Sequence, residues 1–292
     1  MSEAYVAVMA AARKSRMLTE QQMIEFLSLK NIEELINRIK DYYQITIQTP
    51  LNIERIEEEF IEKFYKEVEE FIEKLPSRRK LLKLIIREFE DERIARKILE
   101  LRNKEKEYLN KLREMEYDEE IKECENILSY GIPGLVYSIF SKYRILKIAK
   151  ELKGHKALTP YVSLKIDEHN VITIIRGIKN NIKEELIEKL LILDGGSIDK
   201  KILLEIIKTK KLDNLALVLG IPSQKSLRDI EREFEKRMRK ILLEGYYKGY
   251  GSLEAVIAYI ELKKIEIKNL IRILNCINLK IDPKIAIQEY FI

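Results

Sequence analysis

The chain has 292 residues, enough for two or three helical units with separate cores or for one elongated domain. Charged residues make up 35% and hydrophobic residues 46%, which is typical of amphipathic helices with ionic outer faces. The net charge of +5 arises from 54 basic and 49 acidic residues that are interleaved along the sequence. Interleaved charges do not form a strong basic patch that would attract a polyanion. The composition therefore argues against a dedicated nucleic-acid surface.

Targeting and membrane signals are missing from the sequence. Residues 1–5 lack the basic and then apolar layout of a secretory signal, and no window approaches the ~18 uninterrupted apolar residues of a membrane span. Cys124 and Cys276 have no His or Cys at metal-ligand spacing and are predicted to be small core residues in a reducing compartment. We therefore expect a cytoplasmic protein without a direct membrane span.

Capping chemistry predicts where the first helices begin. Thr19 with Gln22, and Asn31 with Glu34, have the spacing that satisfies the free amides of a first helical turn. Residues 45–50, which are rich in β-branched side chains and end at a proline, predict a loop with at most one short strand.

Two longer helical segments come next. Apolar residues recur three or four positions apart from Ile53 to Leu75, and Pro76 predicts the end of that helix. The second segment runs from about Ser77 to Met115, a length that suggests a protruding or bundle-spanning helix with or without a break. Glycine-containing breaks then divide the second half into helices of ordinary length, at residues 131–134, 153–155, 194–196, 220–222 and 249–251.

Internal repetition is the most informative feature of the sequence. The segments Tyr161–Arg176 and Tyr259–Leu274 each carry a carboxylate three positions before an Asn, followed by aliphatic residues, on a helix predicted to open at the Tyr. A fainter copy at Phe89–Leu99 keeps a carboxylate and lacks the Asn. The residues that define the repeat are Tyr161, Asp167, Asn170 and Arg176 in one copy, and Tyr259, Glu266, Asn269 and Arg272 in the other.

The acid and the amide of each copy lie on one helix face. If that face is turned inward, the acid and the amide both need hydrogen-bond partners, because an unsatisfied buried polar group costs on the order of 1–3 kcal/mol. One hypothesis is therefore a clasp in which Asp167 and Asn170, or Glu266 and Asn269, bind backbone or Arg groups of the next helix. The alternative is a solvated face, which is the commoner setting for such residues.

Candidate chemistry is weak throughout the sequence. Only two histidines exist, and His169 is predicted to be a helix-surface residue rather than a catalytic base. The segment 194–197 lacks the Gly-Lys-Ser/Thr ending of a phosphate loop, and the tyrosines of 245–251 favour packing over stacking on nucleic acid. We assign no catalytic, cofactor-binding or metal residues.

The two repeat segments resemble those of the C/AC39 family, whose members belong to archaeal A-type ATP synthases and vacuolar-type ATPases. Further likenesses are the turn at Leu191–Gly196 and the basic helix ending at Arg13–Leu18, whereas Lys165 and Lys264 stand where relatives often have acids. The resemblance implies an all-α fold of three pseudo-repeated helical bundles that form a funnel with a central opening. We expect approximate units at 1–120, 121–220 and 221–292.

The resemblance also implies a function. It is that of a non-catalytic central-rotor subunit without cofactors, peripheral on the cytoplasmic face of the membrane. Its partners would be the central-stalk subunits and the proteolipid ring, during proton- or sodium-driven ATP synthesis. Arg13, Lys14 and Arg16 are the expected partner contacts. Open alternatives are a helical-repeat adaptor or nucleic-acid-binding scaffold, and third an enzyme with a deep pocket.

Overall fold

The computed structural model describes residues 2–43, 52–101, 110, 117–129, 135–220, 227–249 and 251–290. The described ranges are predominantly helical and contain no strand, which confirms the all-α class. The predicted loop or strand at 45–50 and the break at 131–134 lie outside these ranges, and the predicted funnel stays a prediction.

Fifteen α-helices occupy the described ranges. They are α1 (Glu3–Lys14), α2 (Glu20–Phe26), α3 (Ile32–Tyr43), α4 (Ile53–Lys74), α5 (Arg79–Ile86), α6 (Glu88–Glu100), α7 (Asp118–Ser129), α8 (Val136–Glu151), α9 (Thr159–Lys179), α10 (Glu184–Leu190), α11 (Lys200–Thr209), α12 (Asp213–Leu219), α13 (Leu227–Lys248), α14 (Leu253–Asn278) and α15 (Pro283–Tyr290).

The chain forms two compact units. Unit 1 combines residues 1–86 with 235–292, and unit 2 is the continuous stretch 87–234. The chain passes from unit 1 to unit 2 between α5 and α6, and returns within α13. The division into three units near residues 120 and 220 stays a prediction.

Unit 1 is built around α14, against which α1, α2, α3, α4, α5 and α15 pack. Buried positions of α14 are not confined to one stripe, because neighbours cover it on several sides. By contrast, α4 is amphipathic as predicted, with one buried stripe that includes Phe60, Phe64 and Phe71, and it ends two residues before Pro76. The predicted capping box of Thr19 and Gln22 is confirmed at the start of α2.

Unit 2 is built around the pair α8 and α9. Helices α6 and α7 pack on α8, while α10 and α11 pack on α9. The predicted long helix from residue 77 is broken: a short 3-10 turn at Pro76–Arg78 leads into α5, and α6 begins anew at Glu88. Residues 102–109 and 111–116 of that segment lie outside the described ranges.

Candidate functional site

Asp167 lies on α9 and is buried in unit 2. Its carboxylate accepts hydrogen bonds from the backbone amide of Ser197, at 3.0 Å, and from that of Ile198, at 3.1 Å. A carboxylate that accepts several backbone N–H bonds forms strong, charge-assisted interactions. Asp167 therefore fixes the segment between α10 and α11, rather than a neighbouring helix.

Asn170, one turn further along α9, holds the same segment at a second point. Its Nδ2 donates to the carbonyl of Ile192 at 2.8 Å, and its Oδ1 accepts from the amide of Ile192 at 2.8 Å. This two-way bond satisfies both backbone polar groups of a buried residue at once. Asp167 and Asn170 together clasp both ends of the turn 192–198.

The turn itself has a shape that only small residues allow. Gly195 has a φ of +92°, in the left-handed region that glycine adopts without strain. A Cβ on Gly196 would lie 2.5 Å from Oδ1 of Asp167, closer than real Cβ atoms approach an oxygen. The two glycines thus let the chain come close enough for the carboxylate to reach the amides.

His169 is buried, and its prediction as a surface residue is wrong. Its Nε2 donates to the carbonyl of Leu190 at 2.9 Å, and its Nδ1 lies 3.3 Å from Oγ of Ser141. Burial lowers the pKa of His169 to about 4, so the imidazole is neutral near pH 7. Nothing in the sequence pattern distinguished this position, because α9 is covered on more than one face by helices distant in sequence.

A cavity of about 50 Å³ lies beside His169, between α8 and α9. Its lining includes the hydroxyls of Ser138, Ser141 and Thr173, and the bond from Thr173 to Ser138 measures 3.1 Å. A space of this size accommodates a few water molecules. The hydrogen bond between Thr173 and Ser138 links α9 to α8 beside this cavity.

Glu266 on α14 is the counterpart of Asp167 in unit 1. Its buried carboxylate accepts from the backbone amide of Leu18 at 3.0 Å, from the Tyr43 hydroxyl, and from Lys263 Nζ at 2.6 Å. Burial and the adjacent carboxylate raise the pKa of Tyr43 well above its ordinary value, so the hydroxyl stays protonated and donates. Glu266 thus ties α14 to the segment between α1 and α2 and to the end of α3.

The two carboxylates bind equivalent backbone positions. Asp199 caps α11, and Asp167 binds the amide of Ile198 just before it. Thr19 caps α2, and Glu266 binds the amide of Leu18 just before it. In each unit a buried acid therefore binds the backbone of the residue that precedes the N-cap. This bond fixes the position at which that helix begins.

The amides and arginines of the two copies are used differently. Oδ1 of Asn269 accepts from Arg272 at 3.0 Å, and Arg272 forms a two-point ion pair with Glu235 at 2.9 and 2.7 Å. Arg176 lies 3.3 Å from Glu231 and its guanidinium is 5.4 Å from the centroid of the Tyr137 ring. Asn269 therefore supports an ion pair, whereas Asn170 clasps backbone.

The two tyrosines of the repeat also differ in position. Tyr161 is buried near the start of α9. Tyr259 lies within α14, which begins at Leu253, so its expected place at a helix opening is wrong. Its hydroxyl donates to Glu67, and its ring packs edge-on against Phe71 with centroids 5.7 Å apart.

The faint copy at 89–99 belongs to a buried ionic cluster in unit 2. Asp91 lies 3.0 Å from Arg87 and 2.9 Å from Arg144, and Arg144 bonds to Glu88 at 2.8 Å. Burial raises the pKa of Asp91 to about 6, against the opposing effect of Arg144 and Arg87. For Arg144, burial would lower the pKa, but Glu88 and Asp91 outweigh it and raise it.

The cluster extends to a third helix. Glu120 on α7 is fully buried and bonds to Arg87 at 2.7 Å and to Lys147 at 2.9 Å. Sequence reasoning missed this cluster, because its charges look like an ordinary solvated face of each helix. A signal was present in the alternation of acids and arginines along α6, but its burial depends on α7 and α8.

Lys165 and Lys264, the two lysines noted beside the repeat, both have acidic partners. Lys165 Nζ lies 3.7 Å from Glu88. Lys264 is buried and bonds to Glu261 at 2.9 Å and to the carbonyl of Ile85 at 3.3 Å. Each lysine therefore lies where this chain supplies acceptors.

The three predicted partner contacts differ in what they touch. Arg13 donates to the carbonyl of Glu67 at 3.2 Å, pairs with Glu70, and stacks over the ring of Phe71 at 4.8 Å. Lys14 lies over the rings of Tyr246 and Tyr247, at 4.8 and 5.4 Å. Arg16 is exposed and forms no ion pair with any described residue. Of these three residues, Arg16 thus presents its charge outward.

The described residues hold no group of three or more His, Cys, Asp or Glu side chains placed to bind a metal ion. Across the same residues, no helix combines the length and the apolar character needed to cross a bilayer. Cys124 and Cys276 are both buried in the core. The buried carboxylates described above bind backbone amides, a tyrosine hydroxyl or basic side chains.

The second half of the chain matches a known protein family. Residues 142–289, half of the chain, match the family described as ATP synthase (C/AC39) subunit. The matched region contains both clear copies of the repeat. A comparison with curated proteins finds no match.

Proposed function

Because the chain belongs to the ATP synthase (C/AC39) subunit family, we propose that it is the non-catalytic central-rotor subunit of an archaeal-type rotary ATP synthase. In this role it couples the central stalk to the proteolipid ring of the membrane, on the cytoplasmic face, during proton- or sodium-driven ATP synthesis. The family match over residues 142–289 is the observation that carries the proposal.

The internal construction of each unit suits the transmission of torque. A rotor part must resist twisting, and densely packed helices compress little under load. Asp167 and Glu266 add fixed polar bonds inside that packing, at the points where α11 and α2 begin. Such bonds resist sliding of one helix past another, which apolar contacts alone permit more readily.

The chemistry of the site agrees with a mechanical role. The buried carboxylates of Asp167, Glu88 and Glu266 are bonded to backbone amides or to opposite charges. Hydrolysis or synthesis of ATP would then take place on other subunits. The adaptor and nucleic-acid scaffold alternatives receive no support from the family comparison.

The proposal is tested by purifying the protein from native membranes with an affinity tag on the chain. We expect stalk subunits and the proteolipid to co-purify in fixed ratio, and detergent that strips the ring to leave the chain bound to the stalk. A tagged chain that recovers neither stalk nor ring subunits from membranes with active ATPase would overturn it.

A further inference from the structure

Both ends of one chain segment meet on the carboxylate of Glu266. Leu18, just before α2, donates its backbone amide to Oε2 at 3.0 Å, and Tyr43, the last residue of α3, donates its hydroxyl to Oε1. The chain between them forms α2 and α3, and we call residues 18–43 the α2–α3 segment. A single side chain of α14 therefore fastens the beginning and the end of this segment.

The two ends of the α2–α3 segment are also joined to each other. Nε2 of Gln22, in the first turn of α2, donates to the hydroxyl of Tyr42, in the last turn of α3, at 3.3 Å. Local opening in proteins takes place in contiguous cooperative units that often coincide with small structural motifs. A pair of helices whose ends adjoin in this way has the geometry of one such unit.

Buried apolar side chains lie along both helices of the segment. Both α2 and α3 pack on α14, and their buried apolar residues include Met23, Phe26, Leu35, Ile36 and Ile39. Glu20 of α2 also pairs with Arg239 at 2.9 Å, but both side chains are partly exposed and such a pair adds little stability. Since apolar contacts are not directional, the buried bonds to Glu266 are what fix the two ends in place.

Lys263 makes the attachment to Glu266 a buried ionic one. Its Nζ lies 2.6 Å from Oε1 of Glu266 and 4.4 Å from the centroid of the Tyr43 ring, and all three side chains are buried. Hydrogen bonds and ion pairs are stronger in such a low-dielectric setting than in water. Release of either end admits water to the ion pair and weakens the bond that remains. The two ends are therefore expected to open together rather than one at a time.

We propose that the α2–α3 segment is a lid on α14 that opens and closes as one cooperative element, with Glu266 as its latch. In the open state, the side of α14 that α2 and α3 cover becomes accessible, while α4 keeps its packing. The inference concerns the chain itself and does not depend on the proposed function.

Hydrogen exchange of the whole chain, followed by mass spectrometry of its peptides, tests the lid. Tyr43→Phe removes the hydroxyl at the α3 end and leaves the bond of the Leu18 amide in place. We expect exchange to accelerate about tenfold or more in α3 and equally in α2, which the removed atom does not touch, the effect of losing a hydrogen bond to a charged group. The matched control is Tyr247→Phe, which removes the same atom from a tyrosine that is 68% exposed and should leave both helices unchanged.

Three results would overturn the inference. Acceleration confined to the end of α3 means that the two ends open separately. Equal acceleration in peptides of α4 means that unit 1 loosens as a whole. No acceleration in either α2 or α3 means that the bond to Glu266 is not a latch.

A second measurement needs no variant. As urea is raised within the range where the wild-type chain stays folded, exchange in α2 and α3 should converge on one opening reaction, with a lower free energy than that of α4. Separate opening reactions for α2 and α3 would contradict a single lid.

Discussion

Asp167 shows how much a single buried carboxylate does in this fold. Its two backbone partners, the amides of Ser197 and Ile198, both donate to this one side chain. Removing the acid leaves these amides without their acceptor or forces the turn to open. A hydrogen bond to a charged group contributes about 1.5–3 kcal/mol.

We therefore expect Asp167→Ala to lower the free energy of unfolding by roughly 2–4 kcal/mol, measured by urea denaturation and circular dichroism. The control is Asp199→Ala, which removes an exposed N-cap bond to the amide of Lys201 and should cost about 1 kcal/mol. Equal losses in the two variants would contradict the clasp.

Because His169 is buried, we expect the stability of the protein to depend on pH. Its pKa is about 4 in the folded protein and 6.5 ordinarily, because burial disfavours the imidazolium. The unfolded chain then binds more protons between these values, so the stability contributed at pH 7 is lost as the pH falls from 6.5 towards 4. Over the whole range between the two pKa values, the free energy of unfolding falls by about 3 kcal/mol.

The measurement compares the wild type with His169→Gln at about pH 7 and about pH 4.5, on either side of most of this transition. The difference in free energy of unfolding between the two proteins should change in favour of His169→Gln at the lower pH. Asp91, whose pKa is raised to about 6 by burial, acts with the opposite sign but equally in both proteins. A constant difference across this range would contradict a buried neutral His169.

At the scale of elements, the turn 192–198 depends on close approach to α9. We expect Gly196→Ala to destabilise the protein by about 1–3 kcal/mol, because its Cβ would meet the Asp167 carboxylate at 2.5 Å. Gly245→Ala in α13 is the matched control, since its Cβ meets nothing within 4 Å and alanine favours helix. Thermal denaturation should move in opposite directions for the two variants.

The entry of α2 depends on Glu266. Replacing this acid with Gln removes the charge that strengthens its bond to the Leu18 amide, an effect of about 1.4 kcal/mol or tenfold in opening. Hydrogen exchange should accelerate by about that factor at Leu18 in Glu266→Gln. Glu244→Gln, at an exposed acid paired with Lys248, should leave that amide unchanged; acceleration in both variants would show a general loosening instead.

At the scale of the whole molecule, a role in the rotor makes a specific functional prediction. Membranes depleted of the chain should retain ATP hydrolysis in the catalytic head while losing ATP-driven ion pumping, because torque no longer reaches the ring. Fluorescence quenching by a pH- or sodium-sensitive dye reports the pumping, and phosphate release reports the hydrolysis. Adding back the purified chain should restore pumping, and pumping that persists without it would contradict the proposal.

The sequence by itself determined the features that depend on local chemistry. Helix periodicity predicted the buried stripe of α4, and capping residues placed the starts of α2 and α3. The repeat identified the carboxylates Asp167 and Glu266, since recurrence is visible without coordinates for neighbouring elements. These signals act over a few residues, which is the range that a linear pattern records.

Tertiary structure alone decided what those side chains touch. The burial of His169, the backbone partners of Asp167 and Glu266, and the ionic cluster around Arg144 join positions 21 to 248 residues apart. Whether a charge faces water or another helix depends on which distant helix covers it. That choice is set by the packing free energy of a whole unit, and no short stretch of sequence contains it.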